Sequence, residues 1–288
     1  MNEIVLYAVI ALGSIALFFA IIIFFVEKKF KIIENPKIDE VQGILPGANC
    51  GGCGFAGCRN FAESIVKAGN MENLYCPVGG NEVAKKIASI LGIIANEKAP
   101  QIAVVRCNGT YAHASLKIKY EGTSSCTFIN NLFHGENGCA YGCIGGGDCV
   151  RVCTFDAMYM NSKTGLPVVI EDKCTACGTC VKACPRGIIE LRNKGRDNKR
   201  IFVACNNKEK GVVAQKNCQV ACIGCNKCVK VCTYNAITLK DYLAYIDFEK
   251  CELCRKCVTE CPSESILEIN FPVNKTEVIY SEKNEELK

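Results

Sequence analysis

Eight cysteines between Cys222 and Cys261 constrain this chain more than any other feature. They stand as C-x2-C-x2-C-x3-C twice: Cys222, Cys225, Cys228 and Cys232, then Cys251, Cys254, Cys257 and Cys261, with Pro262 following. In such a run, three thiolates on one tight loop hold three corners of a [4Fe–4S] cube. The fourth cysteine points away on the next turn and serves the partner run's cluster. Two runs predict two cubanes, one on Cys222, Cys225, Cys228 and Cys261, the other on Cys251, Cys254, Cys257 and Cys232. Structural zinc needs four thiolates per metal, often from two C-x2-C pairs, and fits two such runs poorly.

The same unit, with the spacing of bacterial ferredoxins, occurs a second time upstream. Cys139-AYG-Cys143-IG matches Cys218-QVA-Cys222-IG, and Cys149-VRV-Cys153-TFDAM matches Cys228-VKV-Cys232-TYNAI. Cys174, Cys177, Cys180 and Cys184-Pro185 complete the first copy, and Val105-Arg106-Cys107-Asn108 parallels Val203-Ala204-Cys205-Asn206. The copies differ where the second has Cys225 and the first has Gly146. Seven cysteines of the first copy thus match (143, 149, 153, 174, 177, 180, 184), and one ligand is missing. Cys139, on the same glycine-rich loop, is the expected replacement. Cys107, Cys126, Cys205 and Cys218 are left, either as ligands of a sixth cluster between the units or as buried or surface thiols without metal.

Nearer the N-terminus, LPGANCGGCGFAGC carries Cys50, Cys53 and Cys58, and Cys76-Pro77 follows. Glycines 51, 52, 54 and 57 let the backbone wrap something bulky, which predicts one more [4Fe–4S] site, with zinc as the alternative. Five clusters are therefore expected, with the sixth open. A short helix is expected over 61–68. A second, over 81–96, has Asn81 as N-cap and an apolar stripe on Val83, Ile87, Ile90, Leu91 and Ile94. Segments 102–110 and 115–122 read as strands. His113 and His134 read as loop residues, because the sulfur sets are complete without them. Thr154 and Thr233 replace the usual proline after Cys153 and Cys232; each either adds a hydrogen bond that tunes a cluster or is structurally indifferent.

Ile4 to Val26 is a run of 23 residues without a charge, enough for one transmembrane helix. Lys28, Lys29 and Lys31 follow and only Glu3 precedes, so the positive-inside bias puts the cluster regions in the cytoplasm. MNEIV lacks the basic n-region of a secretory signal, and disulfides are not the expected use of the 24 cysteines. A net charge of +5 is too mild to indicate nucleic acid, and no nucleic-acid motif is present. No strand–GxGxxG–helix unit, acid–base pair or activated nucleophile stands out, so no catalytic residue is assigned. The expected fold is α+β: anchor 1–27, polar linker and single-cluster domain 28–98, first ferredoxin-like unit 99–199, second unit and C-terminal tail 200–288.

This order of parts resembles the B subunit of the Rnf complex, the ion-translocating ferredoxin:NAD+ oxidoreductase. Gly47-Ala48-Asn49-Cys50-Gly51-Gly52-Cys53-Gly54, with Cys58 and Cys76, matches the family's N-terminal domain. Shorter members carry one two-cluster unit, and this chain has the extended form. The resemblance implies an electron-transfer subunit, a translocase component that takes electrons from reduced ferredoxin. It would pass them to membrane and peripheral subunits that carry flavin and NAD, coupled to Na+ or H+ pumping. Lys194, Arg196, Lys199 and Arg200, or Lys227, Lys230, Arg255 and Lys256, would steer an acidic carrier. The alternative is a membrane-anchored polyferredoxin serving a hydrogenase or another reductase.

Overall fold

The structure, a computed structural model, describes residues 2–29 and 35–272; Lys31 and the tail from 273 onward lie outside the described residues. Helix α1 (Asn2–Lys29) contains the whole uncharged run. At 1.5 Å per residue its 28 residues extend about 42 Å, longer than the hydrocarbon core. Its Val, Leu, Ile and Phe side chains are exposed on every face, from Val5 at 61 % to Phe25 at 63 %. An apolar helix bare on all sides needs lipid or other apolar helices around it.

Three helices form the next body: α2 (Lys37–Ile44), α3 (Cys58–Ala68) and α4 (Gly80–Leu91). Val41 and Leu45, Phe61, Ala62 and Ile65, and Ala84, Ile87 and Ala88 meet in one buried core. The segment read as a polar linker thus contains α2, because Ile38, Val41 and Leu45 fall on one helical face after Pro36 fixes its first turn. Helix α4 ends at Leu91 because Gly92 (φ 70°) caps it in the left-handed region. Asn81 does not cap α4; Gly79 is the N-cap. The Asn81 side chain instead holds both the N–H and C=O of Lys98 and accepts from the Tyr75 hydroxyl, fastening the segment that leaves the domain.

Each two-cluster unit is closed by a strand from before it pairing with a strand from after it. Strand β1 (Gln101–Val105) runs antiparallel to β4 (Ile189–Asn193), enclosing α5 (Cys126–Phe133), α6 (Asp148–Arg151), the hairpin β2 (Met158–Met160)–β3 (Pro167–Val169), and α7 (Thr179–Ala183). Strand β5 (Arg200–Val203) pairs likewise with β8 (Ile266–Ile269) around α8 (Gly211–Asn217), α9 (Lys227–Val231), the hairpin β6 (Ile237–Lys240)–β7 (Leu243–Ile246), and α10 (Lys256–Thr259). Segment 115–122 makes no strand. It alternates correctly but finds only the isolated bridge Leu116↔Asn137, and pairing rather than propensity makes a strand.

The two units share a core. Phe202, Ala204, Leu267 and Ile269 of the second pack with Ile102, Val104, Ile188 and Ile189 of the first. Arg192 of β4, 1 % exposed, crosses into the second unit, where its Nη2 donates to the Ile246 carbonyl at 3.0 Å. Its guanidinium lies 5.2 Å from the Tyr245 ring centroid, and Arg106 takes a similar position over that ring at 5.1 Å. Glu190 pairs with both arginines. Fully desolvated arginines need such a carboxylate and ring faces around them.

Candidate metal centres

Four loops in the two units share one backbone solution. Left-handed residues flank the middle position of each C-x2-C-x2-C run: Gly145 and Gly147, Ala176 and Gly178, Gly224 and Asn226, Leu253 and Arg255. For Ala176 (φ 54°) and Leu253 (φ 57°) this costs about 1–3 kcal/mol each, strain that a bound group offsets. Three residues after each fourth cysteine, Asp156, Gly187, Asn235 and Glu264 also have positive φ. The loop with Gly146 keeps the wrapped conformation although its middle cysteine is gone.

The thiols gather in fours. Cys76 lies within electrostatic reach of Cys53 and Cys58, and Cys50 opens the same loop. Cys180 lies within electrostatic reach of Cys174 and Cys177, and also of Cys149 and Cys153. Cys228 faces Cys222, Cys225 and Cys261, and Cys232, Cys251, Cys254 and Cys257 line one cavity. Cys153, Cys261 and Cys232, each the fourth of its run, thus lie near cysteines of the other run in their unit.

The Gly146 gap is filled differently from the sequence expectation. Cys126, not Cys139, stands with Cys143, Cys149 and Cys184 around one cavity. A Cβ at Gly146 would lie 2.6 Å from Cys126 N and 3.1 Å from Cys126 Sγ, so the start of α5 occupies the volume of the missing side chain. Cys139 instead joins Cys107, Cys205 and Cys218 in a cavity between the units. Proximity in sequence misled here. Cys107 and Cys139 are 32 positions apart where Cys205 and Cys218 are 13 apart, and the extra loop returns α5 to the gap. The available signal was Cys139's alignment with Cys218: residues in equivalent positions take equivalent places.

The inter-unit cavity is built symmetrically. The Cys143 N–H donates to Cys107 Sγ at 3.3 Å, and the Cys222 N–H donates to Cys205 Sγ. Asn207, fully buried, donates its backbone N–H to Cys205 Sγ and its side-chain amide to Cys139 Sγ, both at 3.4 Å. Main-chain bonds from Asn108 N to Ala204 O and from Gln219 N to His113 O close the cavity. His113 Nδ1 is engaged by Thr110 and the Asn108 carbonyl, and the His134 carbonyl accepts from Arg186. At Cys153 and Cys232 the sulfur receives an N–H from Ala157 and Ala236, four residues on, rather than from Thr154 or Thr233.

The cysteines around these cavities, with no histidine among the described residues beside them, are a donor set that suits iron–sulfur cubanes. Burial, with mutual repulsion, pushes the Cys149, Cys180 and Cys257 thiols up to about 12 and the Cys228 thiol to about 11. Burial likewise takes Cys205 to about 12 and Cys218 to about 11. At neutral pH thiols so placed stay protonated unless a bound cation replaces their protons.

Middle cysteines differ in exposure. Cys225 and Cys254 of the second unit are exposed, and Lys227, Lys230 and Lys256 beside them are exposed too. In the first unit Cys177 is covered by Gly52, whose added Cβ would lie 2.7 Å from the Cys177 carbonyl oxygen. Lys182 Nζ also reaches the Gly51 carbonyl. The other candidate basic patch is partly consumed: Arg200 is 6 % exposed and paired with Glu171, and Lys199 pairs with Asp197.

Comparison with known proteins finds iron–sulfur domains over the same segments. Residues 45–74 match a putative Fe-S cluster family, and 142–188 and 221–265 each match a 4Fe-4S dicluster domain. A further 4Fe-4S dicluster model matches 173–237. The chain is 41 % identical over 266 residues to the B subunit of the ion-translocating oxidoreductase complex of Methanosarcina acetivorans, covering 92 % of this chain and 99 % of that one. It is 40 % identical over 255 residues to the B subunit of the Na(+)-translocating ferredoxin:NAD(+) oxidoreductase complex of Acetobacterium woodii, covering 88 % and 75 %. It is 38 % identical over 287 residues to the proton-translocating counterpart of Clostridium ljungdahlii, covering 99 % and 98 %. Identity at this level, over 88–99 % of this chain and 75–99 % of these relatives, leaves one conclusion: the chain belongs to the B-subunit family of ion-translocating oxidoreductase complexes.

Proposed function

We infer that the chain is the iron–sulfur electron-transfer subunit of a membrane-bound ion-translocating ferredoxin:NAD+ oxidoreductase, working beside the other subunits of that complex. Bound [4Fe–4S] clusters supply one-electron redox chemistry, and this chain's residues supply ligation, burial and placement. What supports the reading is that the 24 cysteines can be assigned to six sets of four with none left over, three of these sets lining cavities. The ligand sets proposed are Cys50, Cys53, Cys58 and Cys76; Cys153, Cys174, Cys177 and Cys180; Cys126, Cys143, Cys149 and Cys184; Cys107, Cys139, Cys205 and Cys218; Cys222, Cys225, Cys228 and Cys261; and Cys232, Cys251, Cys254 and Cys257.

Reduced ferredoxin docks on the second unit, where Cys225 and Cys254 reach the surface among Lys227, Lys230 and Lys256. The first unit is the inner one, its Cys177 covered by the domain that follows α1. Lys28 and Lys29 at the C-terminal end of α1 favour the cytoplasmic side for everything beyond it. The domains are bounded at 1–27, 28–98, 99–199 and 200–288.

Iron determination on anaerobically purified protein tests the cluster count. Six cubanes give about 24 irons per chain, and a value near 20 removes the inter-unit cluster. Cys139→Ser should lose about four irons while leaving the first unit's paired-cluster EPR signals intact. Loss of those signals would return Cys139 to the Gly146 gap.

A further inference from the structure

The thiol that fills the Gly146 gap comes from a separate helix, so something must hold it against its loop. Asp148 lies between Gly147 and Cys149 on that loop. One carboxylate oxygen accepts the Cys126 N–H at 3.0 Å. The other accepts the Thr127 N–H at 2.9 Å, the Thr127 hydroxyl at 3.0 Å and the Ser125 hydroxyl at 3.3 Å. Arg151 pairs with the same carboxylate and donates to the Gly146 carbonyl at 2.9 Å, and Ser124 donates to that carbonyl at 3.3 Å. Loop and helix are therefore stitched together on both sides of the gap.

The corresponding residues of the other three loops, just before Cys180, Cys228 and Cys257, are Thr179, Lys227 and Lys256. A carboxylate beside a cluster thiolate is electrostatically unfavourable, because like charges repel at short range. It stands only where the loop has lost its own middle cysteine. Gly146 fits the same logic, since any side chain there collides with the backbone of Ser125 and Cys126.

We propose that Asp148 is the positioning residue that holds Cys126 in place as the fourth thiolate of the cluster on Cys143, Cys149 and Cys184. This rests on Cys126 being that ligand. Asp148 touches neither iron nor substrate; it acts through the main chain at the start of α5.

Anaerobically purified full-length variants test it by iron content and by EPR of the oxidised protein. Asp148→Ala should lose the iron that Cys126 holds and show a three-iron cluster signal absent from the wild type. Added ferrous iron and thiol should reverse that signal only partly, and Asp148→Asn should fall between. Ser125→Ala removes the hydroxyl that caps α5 through Phe128 N but leaves Asp148 on the Cys126 N–H, so it should keep the full cluster. Wild-type iron and no three-iron signal in Asp148→Ala overturn the proposal. So does a Ser125→Ala phenotype equal to that of Asp148→Ala, which would reduce Asp148 to a helix cap. Cys126→Ser separates the two layers: if it leaves iron and spectra unchanged, the ligand assignment itself falls.

Discussion

Gly52→Ala addresses how the N-terminal cluster domain seats on the first two-cluster unit. The backbone at Gly52 lies outside the left-handed region, so alanine is acceptable locally and only the neighbour objects. The added Cβ would fall 2.7 Å from the Cys177 carbonyl oxygen and 3.1 Å from Cys177 Cα and Cβ. These atoms belong to a loop wrapped for metal binding and cannot swing aside. Ordinary contact begins at 3.4 Å, so the two bodies must part by roughly 0.7 Å, which also stretches the Lys182–Gly51 contact. Overpacking of this kind costs about 1–3 kcal/mol. Placed on the docking equilibrium, that lowers the docked-to-undocked ratio by about 5–150-fold. Limited proteolysis in segment 93–100, where Ile94 is 92 % exposed, reads the undocked population when closing is fast relative to cleavage. Gly52→Ala should be cut faster in that proportion. Gly43→Ala, in α2 with open space around it, should be cut at the wild-type rate. Equal rates for Gly52→Ala and wild type would refute this close seating of the two loops.

Removing Arg192 should loosen the joint between the two units. It leaves the half-buried Glu190 with Arg106 alone and opens a void where the buried Arg192 side chain stood, so Arg192→Ala is expected to cost about 2–4 kcal/mol. Loss of cluster absorbance should then begin at clearly lower urea, and a cost below about 1 kcal/mol would show that Arg106 alone suffices for Glu190. Cluster-free protein should be sensitive to base. Its buried thiols, with folded values raised from 9.0 to about 12 at Cys149, Cys180 and Cys257, contribute stability that is complete below pH 9 and lost as pH rises toward 12. Circular dichroism of the apoprotein across that window checks it, and a flat profile would mean the thiols are not buried together without metal.

Much of this molecule is legible without its structure, because cluster ligation is a local matter. Three cysteines within seven residues must wrap one object, and the fourth must face away, whatever else the chain does. The transmembrane run is equally local, since its length and lack of charge decide it. Where the sequence reading failed, a contact between distant segments decided the outcome. Asn81 has the chemistry of an N-cap but holds Lys98 instead, and Arg200 looks like docking charge but is buried against Glu171.

The pair Cys126 and Cys139 shows the division most clearly. Counting residues established that one thiol was missing at Gly146 and that five were spare. It could not say which spare thiol would arrive, because a flexible loop of thirty residues closes almost as readily as one of ten. In the packed fold Asp148 grips the start of α5, and the paired strands carry Cys107 and Cys205 to a shared cavity with Cys139 and Cys218. The sequence by itself determined that this chain anchors in a membrane and surrounds iron with sulfur. The tertiary structure decided which sulfurs meet and which middle cysteines face solvent, because both depend on contacts between residues far apart in the chain.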